Sequence, residues 1–397
     1  MTAINLPASK SISNRALIIQ AVNPEIIVQN LSTAEDTVNL QKALNQLKEG
    51  NSKIFTGEGG TTFRFFLAYA ATQKKKIIIE GSEHLNNRPV KPLLKALESL
   101  GARFEYLKTP YKPPLKIITP VNLNKEKVEI DASESSQFLS AMLLIAPLFK
   151  NGLLIQTNEK IASESYVRMT LHLMQFFDVE VSVDEQVFKI PKKQYASKQI
   201  LVENDWSSAT YWWITAFLLP YKKIKLKQLP LPSFQPDASI VELLKAYIEF
   251  VPDGKDLIIW KKPDAPNSAY KIFGCENCPD LIPSLAVFCA VAQMPCKITG
   301  TKTLYKKESN RVKALKNELN KIGVKVKELS ENELEIIPPP KLVLNHPKIN
   351  TYNDHRIAMA FAPLKILFPT LEIENPSTVN KSFPNFWNEF NKMFNVE

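Results

Sequence analysis

The chain has 397 residues, 45% of them hydrophobic, and its 50 lysines and arginines outnumber 40 aspartates and glutamates for a formal charge of +10. That length and apolar content describe a globular protein of two domains. The positive excess would suit nucleic acid, an anionic surface or small acidic substrates, but it is diffuse lysine without an arginine-rich arm or basic-aromatic stripe, which argues against nucleic acid.

The first polar constellation is Ser9-Lys10-Ser11, followed by Ser13 and Arg15 and then the apolar stretch 16–21. Serines at a helix start cap it and leave backbone N–H groups for an anion, with Lys10 adding charge; an ordinary cap with a solvated lysine is the plain alternative. Asn5, Ser9, Lys10, Asn14 and Arg15 also interrupt what a secretory signal would need as its apolar region. Next, Gly57-Glu58-Gly59-Gly60-Thr61-Thr62 stands between a strand at 54–55 and a helix over 63–71. Three of only 11 glycines fall here, which suits close backbone approach to a ligand, although a structural turn would use them too. The segment is neither a dinucleotide fingerprint nor a P-loop.

A helix over 93–100 runs through Gly101 into an alternating strand to Tyr106, and the same unit recurs at 169–183 and 312–327, with weaker copies at 40–54 and 240–250. Each unit must bury one face against a common core, and their repetition on both sides of the midpoint predicts two similar α/β domains. Proline-rich segments at 110–114, 230–236 and 338–340 read as connectors. Ser135-Ser136-Gln137 opens a helix over 138–148, with Ser163 and Tyr166 opening the next; hydroxyls and an amide here suit a phosphate or sugar-like ring, or simple capping. Glu203-Asn204-Asp205, before the apolar stretch 209–219, marks the domain boundary.

In the second half, Cys275-Glu276-Asn277-Cys278 has the spacing of half a zinc site, but Cys289 and Cys296 lie in or beside an apolar helix, so buried free thiols and a reducing cytoplasm are expected. Asp280 and Glu308 are the carboxylates to consider for proton transfer. Asp354-His355-Arg356 precedes another apolar helix, where Arg356 offers a rigid fork for phosphate or carboxylate. His355 reads as a packing or capping residue, and four histidines offer no metal set. No apolar run is long enough to cross about 30 Å of hydrocarbon.

In this order, Leu6-Pro7-Ala8-Ser9-Lys10-Ser11-Ile12-Ser13-Asn14-Arg15, Gly59-Gly60-Thr61-Thr62-Phe63-Arg64, Asn87-Arg88-Pro89, Ser135-Ser136-Gln137-Phe138, Pro279-Asp280, Lys307-Glu308-Ser309-Asn310-Arg311, Thr351-Tyr352-Asn353-Asp354-His355-Arg356 and Asn380-Lys381-Ser382-Phe383-Pro384 resemble the 3-phosphoshikimate 1-carboxyvinyltransferase (5-enolpyruvylshikimate-3-phosphate synthase) family of enolpyruvyl transferases. The resemblance covers essentially the full chain. It implies an inside-out α/β fold of two domains, each of three repeats with helices inside and sheets outside. The expected domains are 12–204 and, with the N-terminal strand returning, 1–11 plus 205–397, with substrates in the cleft between them.

The family's chemistry implies transfer of the enolpyruvyl group of phosphoenolpyruvate to the 5-hydroxyl of shikimate 3-phosphate through a tetrahedral intermediate, in a cytoplasmic monomer without cofactor or metal. By the same resemblance, Lys10, Ser11, Arg15, Ser135, Ser136, Gln137, Ser163, Tyr166, Asp280, Thr303 and Lys307 would surround shikimate 3-phosphate. Lys10, Gly60, Thr61, Arg88, Gln137, Arg311, Arg356 and Lys381 would hold phosphoenolpyruvate, with Lys10, Asp280 and Glu308 exchanging protons.

Three positions depart from the family pattern: Glu58 and Thr303 stand where asparagines are common, and Asn310 where an aspartate usually precedes the arginine. Glu58 would either repel an anionic ligand or point away and cap the turn. A UDP-N-acetylglucosamine enolpyruvyl transferase is the nearest alternative, but the stretch 81–89 lacks the cysteine that family carries before its Arg-Pro pair. An inactive phosphate-ligand binding protein would keep the same arginines and serines.

Overall fold

The computed structural model describes residues 1–86, 88–266 and 269–394, so Asn87 of the Asn87-Arg88-Pro89 motif lies outside the described residues. The chain divides into two units, one made of Ala8–Val202 and the other of Met1–Pro7 with Glu203–Glu397. Residues 8–11 therefore pack with the first-half unit rather than with the second as the bounds at 11/12 anticipated. The reason is local: Ser9 is already the cap of the Lys10–Val22 helix, accepting from the Ile12 N–H at 3.4 Å, and that helix is buried in this unit. Residues 203–204 likewise belong to the other unit, where the Asn204 side chain donates to Lys227 O at 2.8 Å.

Within the Ala8–Val202 unit, the strands Lys53–Phe55, Ile77–Glu80, Leu115–Thr119 and Arg103–Tyr106 form a sheet in that order. Lys127–Ile130, Leu153–Thr157, Val187–Ile190 and Ser182–Asp184 form a second. Both have one construction: a parallel pair joined through a helix, then an antiparallel hairpin. The other unit has the same strand pattern twice, with Lys271–Gly274, Cys296–Thr299, Glu333–Ile337 and Lys325–Ser330, and with Thr2–Ile4, Ile224–Leu226, Asp256–Lys261 and Ile248–Asp253, where the parallel pair is separated in the chain by the whole of residues 8–202. A parallel two-stranded pair completes each unit, Ile27–Gln29 with Gln199–Leu201 and Lys348–Ile349 with Glu372–Ile373. Each unit thus contains three related repeats among the described residues, and the first strand, with Thr2 opposite Ile224, belongs to the unit built from the second half.

The helices explain why the sheets lie outside. Gly60–Ala71, Ser136–Ile145, Trp206–Leu218 and Ile282–Val291 are apolar around nearly their whole circumference and buried on almost every residue, so they must occupy the interior of a unit. Strands such as Ile77–Glu80 and Leu115–Thr119 alternate buried and half-buried positions, as one-sided covers do. The weaker copy at 240–250 is a short helix, Ile240–Leu244, followed by the strand Ile248–Asp253, in which Ile248 and Phe250 lie opposite Lys261 and Ile259. None of the described helices is long and apolar enough to cross a membrane.

An interior helix has a buried N-terminus, where unpaired N–H groups and the helix dipole favour negative charge. Ser9-Lys10, Gly59-Gly60-Thr61, Ser135-Ser136-Gln137, Pro279-Asp280 and Asp354-His355-Arg356 all stand at such starts.

Candidate active site

The Ala8–Val202 unit gathers its polar motifs through a few buried bonds. Lys10 Nζ lies 3.0 Å from Asp36 Oδ2, with both side chains mostly shielded, and Asp36 O accepts from the Thr62 hydroxyl at 2.7 Å. Asp36 so links the lysine to the glycine turn. That turn has no space for side chains: a Cβ at Gly59 would stand 2.4 Å from Asp36 Oδ1, and one at Gly60 would stand 2.7 Å from the Arg88 guanidinium. Neither residue has a positive φ, so what a larger residue would meet here is close approach alone, and the atoms it would displace are side-chain ends.

Arg64 is the hub behind the turn. It is buried, donates to Gln137 Oε1 and twice to Pro89 O, and lies 5.0 Å above the Phe138 ring. Gln137 in turn donates to Thr61 Oγ1 at 2.8 Å. Burial, and then the neighbouring Arg88 charge, push the Arg64 pKa well below its ordinary value. Two guanidiniums held this close, with the Nε of Arg88 buried and without a hydrogen-bond partner, make a locally positive site suited to an anion.

Arg15 is placed differently from a simple ligand contact. Its guanidinium is 2% exposed and donates to Ser11 O, Tyr166 O and Thr170 Oγ1, while burial lowers its pKa to about 10. It braces the Ser11 and Tyr166 backbones. Ser135 caps its helix by accepting from Gln137 N at 3.3 Å, and Ser136 is buried at the first turn. Ser163 occupies the cap position of the Glu164–Phe176 helix at φ 51° but makes no side-chain cap bond. Glu58 is exposed on the turn.

In the other unit the charges form one connected network. Asp280 accepts from Arg311 Nη1 at 2.9 Å and Arg356 Nη2 at 2.8 Å, and Lys307 Nζ lies 3.5 Å away. Asp354, fully buried, receives Arg311 through both Nε (2.8 Å) and Nη2 (3.2 Å), accepts from Ser309 Oγ, and caps the His355–Phe361 helix through Arg356 N. Burial opposes the charge of Asp354, but the Arg311 guanidinium outweighs it and leaves the carboxyl below its usual range. Burial likewise opposes the charge of Arg356, and Asp280 above all outweighs it, raising that pKa well above the ordinary value. Arg311 itself is 2% exposed, so it addresses carboxylates rather than solvent.

Glu308 Oε2 lies 2.7 Å from Nδ1 of the buried His355. Thr303 Oγ1 is buried without a partner, and Lys381 Nζ donates to Asn353 O at 3.1 Å. Among the described residues Glu308, Asp354 and His355 are the group whose ligand-type atoms come within 4.8 Å of one another. Asp354 is already neutralised there by Arg311, so the set is better suited to moving a proton than to holding a cation.

The structure brings Lys10, Gly60, Thr61, Arg88, Ser135, Ser136 and Gln137 together in one unit, and Asp280, Lys307, Glu308, Arg311 and Arg356 in the other. Sequence reasoning missed Asp36, Arg64 and His355. Arg64 stood in a quoted motif without a role, and its apolar neighbours were the only signal that its charge is buried. Nothing local marks Asp36 as the partner of Lys10 or Glu308 as the partner of His355.

The family model described as EPSP synthase (3-phosphoshikimate 1-carboxyvinyltransferase) matches residues 2–390. A 3-phosphoshikimate 1-carboxyvinyltransferase of Bacteroides fragilis strain YCH46 is 36% identical over 394 residues, covering 98% of this chain and 94% of that protein. One from Buchnera aphidicola subsp. Cinara cedri is 32% identical over 419 residues, covering 98% and 93%. Among solved structures, EPSP synthase from Acinetobacter baumannii superposes with a TM-score of 0.75 at 20% identity, covering 99% of this chain and 95% of the other. The enolpyruvyl transferase NikO from Streptomyces tendae gives 0.72 at 11% identity over the same shares. At these identities the two structures speak for the fold alone.

Proposed function

Because the chain belongs to the EPSP synthase (3-phosphoshikimate 1-carboxyvinyltransferase) family, we propose that residues of its polar clusters carry that family's reaction. The reaction transfers the enolpyruvyl group of phosphoenolpyruvate to the 5-hydroxyl of shikimate 3-phosphate. The hydroxyl oxygen bonds to C2 as C3 gains a proton; the tetrahedral adduct then loses phosphate and a C3 proton, which restores the double bond. The match of the family model across residues 2–390 carries this reading.

Ser135, Ser136 and Ser163 take the shikimate phosphate, with Ser11, Gln137, Tyr166, Thr303 and Lys307 around the rest of that substrate. Arg15 acts through the backbones it holds. Arg88, Arg356, Lys381, Thr61 and the Gly60 turn take phosphoenolpyruvate, while Arg311 holds Asp280 and Asp354 in place. Fixed positive groups of this kind stabilise charge that develops on the carboxylate and departing phosphate.

Asp280 receives the 5-hydroxyl hydrogen bond. Its three cationic neighbours, Arg311, Arg356 and Lys307, fix the carboxylate in place, so it orients the hydroxyl and accepts from it. Glu308 and Lys10 exchange protons at C3, Lys10 paired with Asp36 and Glu308 facing His355. We place the enzyme in the cytoplasm as a monomer, where thiols such as its four buried free cysteines stay reduced.

Phosphate release by purified protein tests the activity. Release is expected only when shikimate 3-phosphate and phosphoenolpyruvate are supplied together; no release with both would leave the inactive binding protein as the better account, and release with UDP-N-acetylglucosamine in place of shikimate 3-phosphate would favour the sugar-nucleotide transferase. A second expectation concerns the turn. Gly60→Ala pushes its methyl into the Arg88 guanidinium, so the protein should fold normally while the KM for phosphoenolpyruvate rises about 10-fold, the scale of one charge-assisted hydrogen bond. An unchanged KM would remove Arg88 from that subsite.

A further inference from the structure

Two successive non-glycine residues, Tyr352 and Asn353, adopt left-handed backbone conformations, each with φ of 54°. Side chains disfavour that region, so such a corner persists only where surrounding contacts hold it. It immediately precedes Asp354-His355-Arg356, and its second carbonyl, Asn353 O, accepts the Lys381 ammonium at 3.1 Å. The conformation of this corner consequently sets the positions of both Arg356 and Lys381.

A carboxylate outside the site helps to hold the corner, alongside Asn317 Nδ2, which donates to the Tyr352 hydroxyl at 3.2 Å, and Asn375 Nδ2, which donates to Asn353 Oδ1 at 2.8 Å. Glu318 lies near the end of the Arg311–Asn320 helix and is fully buried. Its Oε1 accepts from the Tyr352 hydroxyl at 2.7 Å and its Oε2 from the Asn350 N–H at 2.9 Å. Lys321 Nζ, 2.6 Å from Oε2, balances the charge and also donates to Lys348 O. Glu318 follows Arg311 by two helical turns, so both side chains leave the same face. Arg311 grips Asp354 on one side of the corner while Glu318 grips Asn350 and Tyr352 on the other.

We propose that Glu318 and Tyr352 are positioning residues for phosphoenolpyruvate: the buried carboxylate–phenol contact locks the 352–353 corner in its left-handed form and so places Arg356 and Lys381 against the same substrate. The inference rests on the assignment of Arg356 and Lys381 to phosphoenolpyruvate made above. Neither Glu318 nor Tyr352 touches a reacting atom; they act through the backbone. A purely structural contact would alter stability and leave the substrate constants of the folded enzyme alone, which separates the two roles.

The test is steady-state kinetics with each substrate varied in turn. Tyr352→Phe removes one oxygen and should raise the KM for phosphoenolpyruvate about 5- to 10-fold, with the KM for shikimate 3-phosphate unchanged within about twofold. Glu318→Gln should do at least as much, and the double variant should do less than the product of the two single effects, since both changes break the Tyr352–Glu318 contact. Should Glu318→Gln fail to fold, Tyr352→Phe still decides: a lowered melting temperature with an unchanged phosphoenolpyruvate KM overturns the proposal. Arg356→Ala, measured alongside, separates the two failures. If it raises that KM and Tyr352→Phe does not, the positioning role alone is wrong; if Arg356→Ala has no effect, the subsite assignment falls first and the inference with it.

Discussion

Glu308→Gln is expected to lower kcat by at least about 100-fold with little change in either KM, because general acid–base groups contribute about 10²- to 10⁴-fold and an amide cannot exchange a proton. The substitution keeps the size of a half-buried side chain beside His355, so the circular dichroism spectrum and melting temperature should stay close to those of the parent. Lys10→Ala should cause a loss of similar size by a different route. It removes the side chain that pairs with Asp36 and, on the proposal that Lys10 also contacts phosphoenolpyruvate, should raise the KM for that substrate as well as lower kcat.

Isotope incorporation separates proton transfer at C3 from binding. The adduct carries a methyl group made with one solvent proton, so turnover in deuterium oxide should place deuterium in the enolpyruvyl CH₂ of the product. Glu308→Gln should slow that incorporation in step with turnover. If Glu308→Gln and Lys10→Ala both turned over at the parental rate, the proton-transfer roles would have to move to other residues. Asp280 and His355 would be the next candidates.

The largest effect on stability is expected at Asp354→Ala, which leaves the charged Arg311 buried with only Asp280 to balance it. Breaking a buried pair by removing one partner costs about 3–5 kcal/mol, enough to lower the melting temperature of this unit by several degrees or to unfold it at 37 °C. Asp354→Asn retains the helix cap geometry and should cost less. The pH dependence has a definite sign: the folded carboxyl has a pKa below its ordinary 3.8, so its contribution to stability is complete above that value and is lost as the pH falls through the lower, folded value. Wild-type protein should lose stability in that acid window, and Asp354→Asn should show a shallower decline. Equal slopes for the two proteins in urea titrations from pH 5 to pH 2 would show that the ion pair with Arg311 does not supply the term.

Much of the architecture was legible because it is encoded locally. The alternation at 103–106 and the three-and-four spacing at 312–322 specify a covered strand and an amphipathic helix without knowledge of what covers them. Stretches such as 138–148 and 282–291, apolar on all sides, require an interior place. At 240–250 Ile248 and Phe250 fit either period, so the point where helix gives way to strand is set by their pairing with Lys261 and Ile259. The crossings near Pro7 and Val202 depend on which core accepts a few polar residues, which no local pattern specifies.

For the site, the sequence by itself determined the family and hence the class of chemistry: hydroxyls, glycines and cations at successive helix starts occur in one order over the whole chain, and a helix start is a local property. Only the tertiary structure decided which charge answers which. Arg311 turned out to hold two carboxylates, Arg15 to brace two backbones, Arg64 to stand buried behind the turn, and His355 to face Glu308 across 2.7 Å. Coulomb and hydrogen-bond partners are set by distances of a few ångströms between residues dozens of positions apart, and those distances do not exist until the helices have packed.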